Sequence, residues 1–159
     1  MKLDKLTIKS QEALQAAQAL AVDYGHAEMA VEHLLLALLP QAGLVPRLLL
    51  AIGAAPDDLQ KLLENHLAGQ SRVSGPGAEA GQVYANRGLQ QLLSQAEKEA
   101  QALKDEFVSV EHLLLAAVAA SSDAPAQRWF RQHKVDHASL LEALTKIRGH
   151  QRVDNPDPE

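Results

Sequence analysis

Glu32-His33 and Glu111-His112 place a carboxylate beside an imidazole twice in this chain, the residue types most often used for proton transfer. Adjacent helical positions point about 100° apart, so the members of each pair do not face one another. Neither pair belongs to an HExxH pattern, so the usual two-histidine zinc geometry is missing. His133 and His137 have the i, i+4 spacing of a helical metal pair, but Asp136 reads as a helix start between them and breaks the shared face. Gly75-Pro76-Gly77-Ala78-Glu79-Ala80 fits a degenerate GxGxxA pattern. No strand precedes it and Pro76 lies inside it, so it reads as a linker rather than a dinucleotide loop. The pattern GxxxxGK[ST] does not occur, which excludes a P-loop ATPase site within this sequence. The residues therefore predict no catalytic site, no metal site and no cofactor, and a binding role instead.

Composition narrows that role. The chain has 159 residues, with a formal net charge of −5 and no cysteine. The acidic balance argues against a nucleic-acid partner, which would require a basic stripe. Without cysteine there is neither a disulfide nor a thiolate site. No apolar run approaches the roughly 20 residues that span a bilayer, and the first ten residues show no signal-peptide pattern. The reading is a soluble, cytoplasmic protein with no membrane partner. Aromatics are 3% of the sequence, so Leu, Ala, Val and Ile must build the core, and the Leu and Ala excess favours helices.

The two Glu-His pairs sit inside a larger duplication. VEHLLLA occurs at 31–37 and again at 110–116, a displacement of 79 positions. At the same displacement Leu14, Ala17 and Ala21 match Leu93, Ala96 and Ala100, apolar steps of three and four that mark one buried helix face. Thr7 matches Asn86, both good N-caps. Gly25 is a plausible helix stop; its counterpart is Lys104, so the second long helix is expected to end by different chemistry. Beyond the heptapeptide the displacement becomes 81, aligning Leu48-Leu49 with Trp129-Phe130 and Leu59 with Leu140. The fold class is thus all-α, a tandem pseudo-twofold repeat of two four-helix units, about eight helices in all. The expected helices cover 7–24, 31–40, 44–52 and 56–68, then 86–103, 109–120, 125–133 and 137–148. Repeat one spans 1–68, a Gly/Pro/Ser linker 69–83, and repeat two 84–148 within a single domain 1–148, with a flexible tail over 149–159. Leu-Leu-Leu of each heptapeptide is core. Each Glu sits in a first helical turn, where the dipole favours it, and each His covers part of the core. The join between the repeats is a natural groove for an extended apolar peptide.

LDKLTIKSQEALQAAQ, VEHLLLALL, RVSGPG and KDEFVSVEHLLLA together resemble the N-terminal domain of the Clp/Hsp100 family of AAA+ unfoldases, with RVSGPG and DEFVSVEHLLLA most like its disaggregase branch. RVDNPDPE resembles the stretch leading to that family's first ATPase module, so ATP and magnesium are expected only in modules beyond this chain. The resemblance implies a non-catalytic domain that engages exposed apolar segments of unfolded or aggregated client polypeptides. It implies a monomeric domain within a hexameric parent. The alternative is an adaptor-docking domain of the protease-coupled branch, whose partner is a folded adaptor protein. The family's substrate face maps to Thr7, Ile8, Leu93, Asp105, Glu111 and His112, with an acidic rim in the second repeat only, since GHAEMAVEH departs from KDEFVSVEH.

Overall fold

A computed structural model describes residues 3–40, 43–71, 83–149 and 151–157. A short 3-10 turn, Leu3–Lys5, leads into four α-helices: α1 Ile8–Asp23, α2 Val31–Leu38, α3 Leu44–Ile52 and α4 Pro56–Ala68. The second set is α5 Arg87–Ala102, α6 Val110–Ala119, α7 Pro125–Gln132 and α8 His137–Arg148. Every expected helix forms. The starts follow local chemistry. Oγ1 of Thr7 accepts from Ser10 N–H at 3.2 Å, Oδ1 of Asn86 from Leu89 N–H at 2.9 Å, and Oδ1 of Asp136 from Ser139 N–H at 2.8 Å, each satisfying an orphan first-turn donor.

Helices α2 and α6 are the centre of the molecule. Residues 33–38 and 110–117 are all buried, so these two helices are covered on every side. α1 lies against α2 and α5 against α6, while α3 packs on α8 and α4 on α7 across the two repeats. One continuous core results, with Leu35, Leu49 and Leu63 of the first repeat joined to Leu114, Phe130 and Leu144 of the second.

Backbone pairing that periodicity could not foretell also joins the repeats. Strand β1, Glu28–Met29, runs parallel to β2, Tyr84–Ala85. Leu6 forms an isolated parallel bridge with Val108. The two are pseudo-twofold mates: Asn86 N–H donates to Met29 O at 2.9 Å, and Thr7 N–H to Val108 O at 3.0 Å. The residue before each long helix is thereby tied to the segment that precedes the other repeat's central helix.

Two expectations need correction. Lys104 was expected to replace the chemistry of Gly25, yet it takes the same left-handed conformation, with φ 60 against 72. Lys134 likewise stands at φ 57 where Gly53 has 92. The same backbone bond closes each of these helices, from Asp105 N–H to Ala100 O at 2.9 Å and from Val135 N–H to Phe130 O at 2.8 Å as from His26 to Ala21 and Ala54 to Leu49, and it requires the left-handed residue, so a lysine bears the strain where glycine would not. The tail, expected to be flexible from 149, is not free over its described residues. Val153 is buried, and Ile8 N–H donates to Pro156 O at 2.7 Å. Residues 72–82 of the expected linker lie outside the described residues.

Candidate functional site

The duplicated histidines have a structural task. In α6, Nδ1 of His112 accepts from Ser109 N–H at 2.8 Å; in α2, Nδ1 of His33 accepts from Ala30 N–H at 2.8 Å. Each imidazole thus fills the N3 role of a capping box, usually taken by Glu or Gln, and returns a bond to the N-cap backbone. With Nδ1 accepting, the proton resides on Nε2. His112 donates it to Asp105 Oδ2 at 2.7 Å, and His33 donates to His26 Nδ1 at 2.8 Å. His26 and Asp105 are themselves equivalent positions, 79 residues apart. Both imidazoles are fully buried rather than partly covering the core, and neither has a nitrogen available for catalysis.

The electrostatics of the two copies differ. Burial, and secondarily the positive potential of His26 and His66, lowers the His33 pKa to about 4. At Asp105, burial by itself would raise the carboxyl, but the Arg148 side chain, Val153 N–H and His112 outweigh it and hold the group below its ordinary value. Oδ1 of Asp105 accepts from Arg148 Nη2 at 2.5 Å and from Val153 N–H at 2.9 Å. Nη1 of Arg148 lies 3.6 Å from Glu111 Oε2, and Ser109 Oγ donates to Glu111 Oε1. One arginine therefore serves both carboxylates. Glu111 is 5% exposed and Asp105 7%, so the expected acidic rim is instead an internal, arginine-paired network.

Beside this network lies a groove of about 320 Å³ between α1, α3, α6 and α8. Thr7, Leu44, Val110, Glu111, Ile147 and Val153 are among its lining residues, and Lys9, Arg47, Arg148 and Arg152 give it a cationic balance. Thr7 itself is 1% exposed, while Ile8 next to it is 44% exposed. Thr7, Ile8, Asp105, Glu111 and His112 are thus brought together at one junction: Thr7 and Glu111 line the groove, Ile8 stands beside it, and Asp105 and His112 lie behind it. Leu93 is not brought there; it packs against the core from α5 and lines neither this groove nor its counterpart.

That counterpart, about 610 Å³, includes Val31, Glu32, Asn86 and Gly88, the pseudo-twofold mates of Val110, Glu111, Thr7 and Lys9. The two grooves differ in volume and in lining. Only the smaller one has the tail as a wall and a cation paired with its glutamate. His133 and His137 go separate ways, His133 Nδ1 to Trp129 O and His137 Nε2 to Glu99 Oε1. Among the described residues no group of three or more His, Asp or Glu is arranged to hold a metal ion, and no helix is long and apolar enough to cross a membrane.

Arg148, Val153 and His26 escaped the sequence reading. The alignment of 26 with 105 and 33 with 112 was available as a signal for His26. Arg148 meets Asp105 across 43 positions and Val153 across 48, separations that leave no local pattern.

Comparison with known proteins places this arrangement. The model of the Clp repeat (R) N-terminal domain matches residues 5–133. The chaperone protein ClpB of Nitratidesulfovibrio vulgaris is 41% identical and that of Bacillus anthracis 40%, each aligned over 100% of this chain and 18% of the relative. The chain therefore spans about 18% of the length of these curated relatives. Among solved structures, the Hsp104 N-terminal domain from Candida albicans superposes with a TM-score of 0.79 at 21% identity, covering 96% of this chain and 97% of that one. The N-terminal domain of the ClpV1 ATPase from E. coli gives 0.74 at 24% identity, over 98% and 91%. At such identities the structures speak for the fold, while the family match covers most of the sequence. The chain belongs to the Clp repeat N-terminal domain family.

Proposed function

We propose that this domain is the non-catalytic substrate-binding module of a ClpB-type disaggregase, and that it engages exposed apolar segments of unfolded or aggregated proteins in the smaller groove. The observation that carries the reading is the juxtaposition of exposed Ile8 with a groove containing Leu44, Val110 and Ile147, at the junction of the two repeats. Apolar side chains there supply attraction, while Asp105 and His112 behind them already bond one another. Ile8 is the exposed contact residue in this reading, Thr7 and Glu111 belong to the groove wall, and Asp105 and His112 hold that wall in place. Because Arg148 pairs with both carboxylates and Lys9, Arg47 and Arg152 line the groove, its cations outnumber its acids and acidic segments are not repelled. Binding is weak, since a short groove buries little area and the client loses conformational entropy on docking. In a parent ring, several tethered copies would recover affinity.

Fluorescence anisotropy with a labelled, permanently unfolded polypeptide tests the reading. Saturable binding that weakens with Ile8→Ser is the expected result. No binding of the unfolded chain, with tight binding of a small folded adaptor instead, would replace this reading by adaptor docking.

A further inference from the structure

Residues 151–157 make an unusual contact for a segment without helix or strand. Six of the seven are exposed, and Val153 alone is buried, 4% exposed. Its N–H donates to Asp105 Oδ1 at 2.9 Å, and its carbonyl accepts from the backbone of Glu106 at 2.8 Å and of Phe107 at 3.3 Å. Three residues on, the Pro156 carbonyl accepts from Ile8 N–H at 2.7 Å, one of the first-turn donors of α1 that Thr7 does not satisfy. Bonds to its main chain, one of them from Arg148 Nε to Gln151 O at 2.8 Å, and one small β-branched side chain hold the segment. That is how an extended peptide of loosely specified sequence is recognised, the backbone supplying affinity and a single pocket supplying selectivity. The contact also forms part of the groove wall, since Gln151, Arg152 and Val153 line it.

We propose that residues 151–157 are an intrachain occupant of a slot for extended polypeptide, and that an incoming segment with a β-branched apolar residue binds there by displacing Val153. The inference rests on the client-binding reading above and adds to it a competitor carried by the chain itself. Displacement leaves the main-chain donors satisfied: Asp105 accepts from the incoming N–H, Glu106 and Phe107 donate to the incoming carbonyl, and Ile8 N–H donates to a later one, while Arg148 Nε exchanges Gln151 O, at 2.8 Å, for an incoming carbonyl. Asp105 keeps Arg148 and His112 throughout, so the slot persists when the tail leaves it. Docking of a client is thereby coupled to release of the segment that follows α8.

The test uses the whole 159-residue chain, its Val153→Ser variant, and Asp154→Ser as a control at the exposed neighbouring position. Two probes are needed: a synthetic peptide with the sequence of residues 151–159, and reduced, alkylated lactalbumin as an unfolded polypeptide. In Val153→Ser the amides of Glu106, Phe107 and Ile8 should exchange faster with solvent. The variant should bind the tail peptide in trans where the parent chain does not. If the native tail is docked about nine-tenths of the time, lactalbumin should bind the variant about tenfold more tightly, since apparent affinity scales with the competent fraction. Asp154→Ser should change none of these. Unaltered amide exchange, tail peptide bound by neither protein, or lactalbumin bound by both proteins but no more tightly by Val153→Ser would each overturn the proposal. If lactalbumin bound neither protein while the tail peptide bound only Val153→Ser, the client reading would fall and the self-occupied slot would stand.

Discussion

Replacing Asp105 with alanine should be among the most damaging single changes outside the apolar core. Its side chain is 0% exposed and accepts from His112 Nε2, Arg148 Nη2 and Val153 N–H. Truncation orphans all three donors. Breaking a buried ion pair by removing one partner typically costs about 3–5 kcal/mol. The Arg148 side chain is 12% exposed and retains Glu111 at 3.6 Å, which moves the expectation to the low end. A loss of about 3 kcal/mol corresponds to a fall in Tm of about 6–12 °C for a domain of this size. Urea melts at neutral pH measure it, with Asp154→Ala as an exposed control that should change stability by less than about 0.5 kcal/mol. A pH signature accompanies the loss. Asp105 is held below its unfolded value of 3.8, so its contribution is present above that pH and disappears as pH falls through the folded pKa. The Asp105→Ala variant should lack that component of acid sensitivity. A loss below about 1 kcal/mol would mean that Asp105 is an ordinary solvated carboxylate, and the network reasoning would be refuted.

The depressed pKa of His33, about 4 against 6.5, predicts stability that is full above pH 6.5 and falls as pH drops toward 4. Integrated over that window the loss is about 3 kcal/mol; it should be absent from His33→Gln, so in pH-dependent melts the difference between the parent chain and that variant should carry it. Leu35→Ala and Leu114→Ala should each cost about 2–5 kcal/mol in urea, the range for cavities left in helical cores. Lys104→Gly should stabilise by up to about 1 kcal/mol by relieving the left-handed strain, whereas Lys98→Gly, exposed in the middle of α5, should destabilise by about the same amount. Equal signs at the two lysines in thermal melts would contradict the conformational assignment.

The parts of this fold that were legible in the sequence are those whose chemistry is local. Thr7, Asn86 and Asp136 announced helix starts because a cap depends on its own first turn. Leu34, Leu35 and Leu36 announced a central helix because their duplication at 113–115 sits on an apolar face in both copies. Lys104 was misread because residue preference for a left-handed turn is only a tendency, and the bond from Asp105 N–H to Ala100 O closes α5 through that conformation whatever the residue. The parallel pairs Leu6–Val108 and Met29–Ala85 are too short to carry a period-two pattern. At the site, Thr7, Ile8 and Glu111 could be reached through family resemblance. Asp105 and His112 came with them, but as a buried network rather than a rim. What set that difference was Arg148 arriving from the end of α8 and Val153 from beyond it, contacts that only the folded chain creates.

The central claim is that polypeptide binds in the smaller groove, where α1, α3, α6 and α8 meet. The most direct measurement is an NMR titration of the isotopically labelled domain with a permanently unfolded client. The account predicts shifts concentrated at Ile8, Leu44, Val110, Ile147 and the amides of Glu106 and Phe107, with the larger groove around Asn86 and Gly88 changing little. Shifts confined to Val31, Asn86, Gly88 and Gln95, with Ile8 and Val110 silent, would contradict it.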